Sequence, residues 1–301
     1  MGVVTSQYYI RGICLVLLAG LFLSSGGLFV RHMEQADGWQ ILFYRSLSFS
    51  VMLFLFILWR HRGGTLGAFR AIGWPGVLVA LCIGLNFTFY VFGMLNTTVA
   101  NVSFIRSLNP FMVVFLAWLV LGERVGRPLL LAMAAALLGL AIMFADGIET
   151  GHTKGNLIAL GLPASFAVAL VALRSAADRD MTPATCLGGL VSVVIAFVMA
   201  GDLALSPRDL VLSLLFGTLQ LGLGFILITV AVRWVPAAQV ALLILMEIIL
   251  TPVWVWLLLG ERPTDAALLG GLIVLAAVAS QGVLALRQAR KARQPEPPST
   301  R

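Results

Sequence analysis

Apolar stretches of about twenty residues, separated by short polar breaks, recur along the whole chain. They can be placed ten times: 9 to 30, 39 to 59, 72 to 94, 98 to 121, 128 to 146, 155 to 173, 183 to 201, 208 to 232, 237 to 259 and 264 to 286. A helix rises about 1.5 Å per residue, so each stretch can cross the roughly 30 Å of bilayer hydrocarbon. Trp39 and Trp59 bracket the second stretch as interfacial anchors. The pattern predicts an all-α polytopic membrane protein of ten transmembrane helices. Its connections run to roughly ten residues, too short for a soluble catalytic or nucleotide-binding domain, and the sequence has no phosphate-binding P-loop.

The pattern also repeats. Ala100 to Arg124 closes with Trp118-Leu-Val-Leu-Gly-Glu-Arg124, and Ala238 to Arg262 closes with Trp256-Leu-Leu-Leu-Gly-Glu-Arg262, 138 residues later. Arg11-Gly12 recurs as Lys154-Gly155 and Arg31 as Arg174, at a shift of 143. Residues 9–146 and 155–286 therefore read as two copies of one five-helix unit. Residues 287–301 form a basic, proline-rich tail expected to be disordered. Because five is odd, the second copy enters the membrane from the opposite side, and the pair makes an inverted repeat. In secondary transporters such repeats hold the substrate near the midplane between the halves, exposing it to alternate sides.

Composition and charge agree with the membrane assignment. Only 11% of residues are charged and mean hydropathy is +1.01, whereas a soluble domain carries about 25% charged residues. The net charge of +7 reflects topology and not nucleic-acid binding. With the N-terminus inside, fourteen basic residues fall on the inner side and four on the outer: Arg31, Lys154, Arg208 and Arg262. That bias puts both termini in the cytoplasm. His32, His61 and His152 fall in loops, and Cys14, Cys82 and Cys186 have no metal-ligand spacing, so neither a metal nor a cofactor is expected.

Proline and charge mark the places where spans depart from plain hydrophobic helix. Pro75, Pro128, Pro183, Pro207, Pro236 and Pro263 fall at or near expected helix starts, where proline is tolerated. Pro110, Pro163 and Pro252 fall inside spans four, six and nine, which are expected to bend or gate there. Three ionisable side chains lie within spans: Arg45, Arg106 and Glu247. Each costs at least about 2.5 kcal/mol at the bilayer centre unless it is paired or wet.

Asn109 and Glu247 are equivalent in the repeat, so the duplication is broken there by one carboxylate. Arg106 shares a helical face with Ser103, Ser107 and Pro110 and can offer a fork to a carboxylate, either a substrate's or that of Glu247. Both a locking ion pair and a substrate or proton-coupling role are open at this stage. Arg45, six residues past Trp39, reads as a side chain that snorkels to the outer interface or caps a neighbouring helix. Asn86 and Tyr90 form a polar stripe on span three, which either lines a cavity or joins helices, and Trp254 is the deeper tryptophan of span nine. The expected cavity residues are Arg106, Glu247, Asn86, Tyr90, Trp254 and Ser103.

Two five-span halves that each close with Leu-Gly-Glu resemble the drug/metabolite transporter superfamily, and within it the EamA-domain exporters. Asn109-Pro110 with Leu121-Gly122-Glu123 is similar to the family's fourth helix, and Tyr44-Arg45-Ser46 to its second. Glu247 stands where the family pattern has Glu-Pro, but Ile248 replaces the proline and Pro252 follows one turn later. The string from Met246 to Trp256 resembles the YddG-type members. The resemblance implies efflux of amino acids, aromatic and other neutral ones, and of related aromatic metabolites, across a bacterial inner membrane, with no enzymatic step. The rival reading is an intramembrane lipid-modifying enzyme or flippase subunit, which calls for a second acid or a histidine near Glu247. Substrate and lipid bilayer are the expected partners. Oligomeric state stays open, a monomer being allowed.

Overall fold

The computed structural model describes residues 6–121, 126–174, 179–235 and 237–291. Every regular element among them is helical. The first span divides into α1 (Ser6–Ser24) and α2 (Gly26–His32), and α3 (Gly38–His61) is the second. A 3-10 turn at Arg62–Gly64 and the short α4 (Thr65–Ala71) fill what reads in the sequence as plain loop. Then come α5 (Gly73–Asn96), the pair α6 (Val99–Arg106) and α7 (Asn109–Leu121), and α8 (Arg127–Glu149). The second half holds α9 (Thr153–Arg174) and α10 (Thr182–Met199). Its next span joins α11 (Pro207–Leu215), a π-helical stretch (Phe216–Leu223) and α12 (Gly224–Ala231), and α13 (Ala237–Leu259) and α14 (Asp265–Lys291) complete it.

Eight helical stretches among the described residues are long and apolar enough to cross a membrane, and two shorter apolar ones, Met246–Leu259 and Asp265–Ser280, follow. The outward surface suits lipid: Leu55, Trp59, Leu131, Leu137, Phe197, Val198 and Leu257 are all exposed.

Local chemistry sets the helix ends. Asp37 accepts from the backbone of Trp39 and Gln40, while the Gln40 side chain accepts from the Asp37 backbone, a capping box that starts α3. The Thr98 hydroxyl caps α6, and Ser206 caps α11. Pro128, Pro183 and Pro207 occupy first turns as expected. Pro236 lies outside the described residues. The last helix runs on to Lys291, past the point where the sequence suggested a tail, because Arg287-Gln-Ala-Arg-Lys291 are good helix formers and no proline comes before Pro295.

The expected bends are distributed differently. Span four does break, at the Ser107–Leu108 turn just before Pro110. Pro163 and Pro252 instead lie within the continuous helices α9 and α13. Two interruptions fall where no proline signals them: the turn at Ser25 between α1 and α2, and the π-helical stretch of span eight.

Helices pack across the two halves. α5 lies on α9, α1 on α12 and α13, α3 on α10, α8 on α14, and α6 on α13. The α8–α14 crossing is backbone-close: a Cβ at Gly139 would sit 2.5 Å from the Gly270 carbonyl oxygen, so only glycine fits there. The main core gathers Phe49, Phe87, Tyr90, Phe104, Ile105, Phe216 and Val255 at the centre of the bundle.

Candidate functional site

The end of α6 and the middle of α13 bring Arg106 and Glu247 together. Arg106 Nη1 donates to Glu247 Oε1 in a short contact, and Nη2 lies 3.5 Å from Oε2. The Glu247 side chain is 1% exposed and the Arg106 side chain 33% exposed. Arg106 is therefore the half-open partner of a sealed acid. Beside it lies a narrow cleft, too tight in this conformation to hold a water molecule, lined by Tyr90, Met94, Val102, Ser103, Arg106, Ile248 and Thr251. The Thr251 hydroxyl donates to the Glu247 backbone carbonyl at 2.7 Å, and Ser103 Oγ to the Val99 carbonyl at 2.9 Å. These bonds satisfy the hydroxyls locally and leave the ion pair as the polar centre of the cleft.

The break in span four explains how Arg106 gets there. Ser107 Oγ donates to the Phe104 carbonyl at 2.6 Å, and the chain turns through Ser107–Leu108 before α7 begins. The helical register does not carry across the turn. Pro110 therefore does not share a face with Arg106, as a continuous helix would require, and is exposed. Asn109 Oδ1 is buried without a hydrogen-bond partner.

Arg45 does not snorkel. It is 2% exposed, and its guanidinium carbon sits 4.4 Å from the ring centroid of Phe216, 4.9 Å from Phe87 and 5.1 Å from Tyr90. Its Nε and Nη1 are buried with no hydrogen-bond partner. Cation–π contacts of about 0.5–2 kcal/mol each stabilise the charge in place of an anion. The sequence placed Arg45 near an interface because it lies only seven residues into α3. The side chain instead turns inward, because α5 supplies two ring faces, Phe87 and Tyr90, and the π-helical stretch a third, Phe216. A Cβ at Gly217 would collide with the Arg45 carbonyl oxygen and Ser48 Oγ, so a glycine beside Phe216 lets the π-helical stretch lie directly on α3.

The other expected cavity residues go to three places. Tyr90 and Ser103 line the Arg106 cleft. Asn86 faces α9, where its Nδ2 donates to the Leu162 carbonyl and to Ser165 Oγ, both at 2.9 Å. That contact joins two helices beside Pro163. Trp254 donates to Ser24 Oγ at 3.0 Å and lines a different cavity, of about 560 Å³, with Leu21, Phe22, Leu28, Phe29, Leu212, Leu219 and Leu258. This second cavity is apolar and lies where α1 and α2 meet α11, the π-helical stretch and α13.

One polar junction was legible only through the repeat. Arg31, counted in the sequence as a loop charge, donates its Nε to Glu261 Oε2 at 2.6 Å and its Nη1 and Nη2 to the Met94 and Thr97 carbonyls, both at 2.9 Å. Glu261 Oε1 accepts from the Val99 backbone at 2.9 Å. Arg31 and Glu261 recur in the duplication as Arg174 and Glu123. Glu123 and the Arg174 side chain lie outside the described residues.

Comparison with known proteins gives this geometry a family. A model of the EamA-like transporter family matches residues 10–145 and again 153–280. The pseudopaline exporter CntI of Pseudomonas aeruginosa strain PAO1 is 27% identical over 273 residues, covering 88% of this chain and 94% of that one. Its counterpart in strain UCBPP-PA14 is 28% identical over the same length. A solved crystal structure, described only as that of a protein, superposes with a TM-score of 0.63 at 16% identity, over 93% of this chain and 98% of its own, which shows a shared fold. The chain is a multi-pass membrane protein and belongs to the EamA-like transporter family, with relatives that are exporters.

Proposed function

We propose that the protein exports amino acids, aromatic and other neutral ones among them, and related small metabolites across the bacterial inner membrane. It does so by alternating access around the Arg106–Glu247 cleft, with both termini in the cytoplasm. The observation that carries the reading is the ion pair itself. A carboxylate and a guanidinium inside the membrane are costly unless they do work, and the Arg106 side chain remains a third exposed although its partner is sealed. A zwitterion offers each partner its counter-ion, so the pair can open onto substrate without stranding either charge.

Packing supports the inverted repeat. Shifting each span by five converts the α5–α9 contact into α12–α1 and α7–α9 into α13–α1, and maps α3–α10, α8–α14 and α6–α13 onto themselves. The two family matches fall on the two halves. Discontinuous helices around the centre, at Ser25, Ser107 and the π-helical stretch, are the usual construction of transporter sites. The apolar cavity beside Trp254 offers room for an apolar or aromatic side chain. The relatives named as exporters support outward transport.

The test is uptake of labelled amino acids into proteoliposomes holding the purified chain, with and without an imposed pH gradient, for wild type and Glu247→Gln. Wild type is expected to move at least one amino acid above protein-free vesicles, and Glu247→Gln to lose most of that flux. Failure of wild type to move any amino acid defeats the substrate reading. Normal flux through a folded Glu247→Gln protein reduces the pair to scaffold.

A further inference from the structure

Arg45 is unlike Arg106 in one respect: among the described residues no anion answers it. Its guanidinium touches three aromatic rings, and its Nε and Nη1 are buried without acceptors. Rings attract the cation through their faces, but they do not use up the N–H donors that lie in the guanidinium plane. Those donors form the fork that fits a carboxylate at two points. A buried cation kept only for packing is a poor device, because an apolar side chain of similar volume does the same work without desolvating a charge.

The charge count points the same way. The span interiors hold Arg45, Arg106 and Glu247, two positive charges against one negative. Tyr90 joins them spatially: it lines the cleft beside Arg106, its ring lies against Arg45, and it is within electrostatic reach of all three charges. One aromatic ring therefore forms the wall common to the cleft and the Arg45 cage.

We propose that Arg45 is a carboxylate anchor of the transport site, and that the site selects substrates of net negative charge, whose extra carboxylate cancels the unpaired guanidinium. This rests on the reading of the Arg106 cleft as a transport site, and it replaces the neutral amino acids of that reading with anionic substrates. An ammonium group on such a substrate reaches Glu247 only where the Arg106 pair opens.

The experiment compares matched acids and amides in proteoliposomes of the full chain: glutamate with glutamine, aspartate with asparagine, and N-acetylphenylalanine with its amide. Wild type is expected to move at least one acid about tenfold or more faster than its amide, the factor carried by a single charge-assisted hydrogen bond. Arg45→Gln should lose that preference by slowing the acid and sparing the amide, while Arg45→Lys, which keeps the charge and loses the fork, should retain part of it. Flux of amides equal to that of every acid in wild type overturns the anchor and leaves the exporter reading intact. So does an acid preference that survives Arg45→Gln. If Arg45→Gln does not assemble, the wild-type pairs and Arg45→Lys still decide, because an anchor requires both an acid preference and its weakening by lysine. Movement of none of the probes, acid or amide, overturns both readings.

Discussion

Glu247 on α13 and Arg106 on α6 form a two-point ion pair in which the acid is sealed and the base faces the cleft. Breaking such a pair from one side leaves a buried charge alone, at a cost of about 3–5 kcal/mol, whereas removing both partners costs much less. Glu247→Ala and Arg106→Ala should each lower the thermal midpoint of the purified protein. The Arg106→Ala, Glu247→Ala double variant should recover much of the sum of the single losses, with a coupling of about 1–3 kcal/mol. Fluorescence-detected unfolding in detergent measures this. Strict additivity of the two single substitutions would show that the contact carries no coupling energy.

The Arg31–Glu261 junction ties α2 to the turn between α13 and α14, and through Val99 and Thr97 to the start of α6. Five charge-assisted hydrogen bonds close this face of the bundle: two from Arg31 to Glu261, one each from Arg31 to the Met94 and Thr97 carbonyls, and one from the Val99 amide to Glu261. Arg31→Ala should open it. A cysteine at Thr97, which is 3% exposed, placed in a background without the three native cysteines, should react with an impermeant maleimide several-fold faster when Arg31 is replaced. Unchanged labelling would mean the face stays shut without the junction.

Helix placement was legible because a lipid-facing helix must be apolar for about twenty residues, and eight helical stretches among the described residues meet that requirement, with two shorter apolar helices after them. The charges were legible for the same reason, since Arg45, Arg106 and Glu247 stand out against that background. Their destinations were not. Arg106 and Glu247 are 141 residues apart in sequence, and only packing of α6 on α13 decides that they meet. Arg45 was misplaced because depth along α3 says nothing of which way the side chain turns. The π-helical stretch has no proline to mark it, and nothing in the sequence singles out Phe216; within the same stretch Gln220 Nε2 donates to the Leu23 carbonyl, bonding span eight to the end of α1. Arg31 and Glu261, by contrast, were recoverable from the duplication, which preserves both members.

Gly217 gives a test of the Arg45 cage that leaves every charge in place. A methyl group there would meet the Arg45 carbonyl oxygen and Ser48 Oγ, which are backbone and a short side chain with little freedom to move. Gly217→Ala should cost about 1–3 kcal/mol by overpacking the contact between α3 and the π-helical stretch. The same substitution at Gly63 or Gly67, where a Cβ meets nothing within 4 Å, should change stability little. Equal thermal midpoints for Gly217→Ala and wild type would show that the π-helical stretch does not need its close approach to α3.

Asp180, in the connection before α10, supplies a pH signature distinct from the central site. Its Oδ1 accepts from the Thr182 backbone at 3.0 Å and from the Thr182 hydroxyl at 2.6 Å, while Oδ2 lies 3.1 Å from His61 Nε2 and 3.7 Å from an Arg60 nitrogen. Partial burial works against ionisation, but the Thr182 bonds, the Arg60 charge and the His61 bond outweigh it and hold the carboxyl below its ordinary value of 3.8. A carboxyl depressed in the folded state binds protons more readily when unfolded, so its contribution is complete above the ordinary value and fades as pH falls through the folded one. The stability difference between wild type and Asp180→Asn should therefore be flat from neutral pH down to the region of that ordinary value, then shrink with further acidification. Thermal midpoints of both proteins measured across that range check it, and a difference that grows on acidification would reverse the assigned sign.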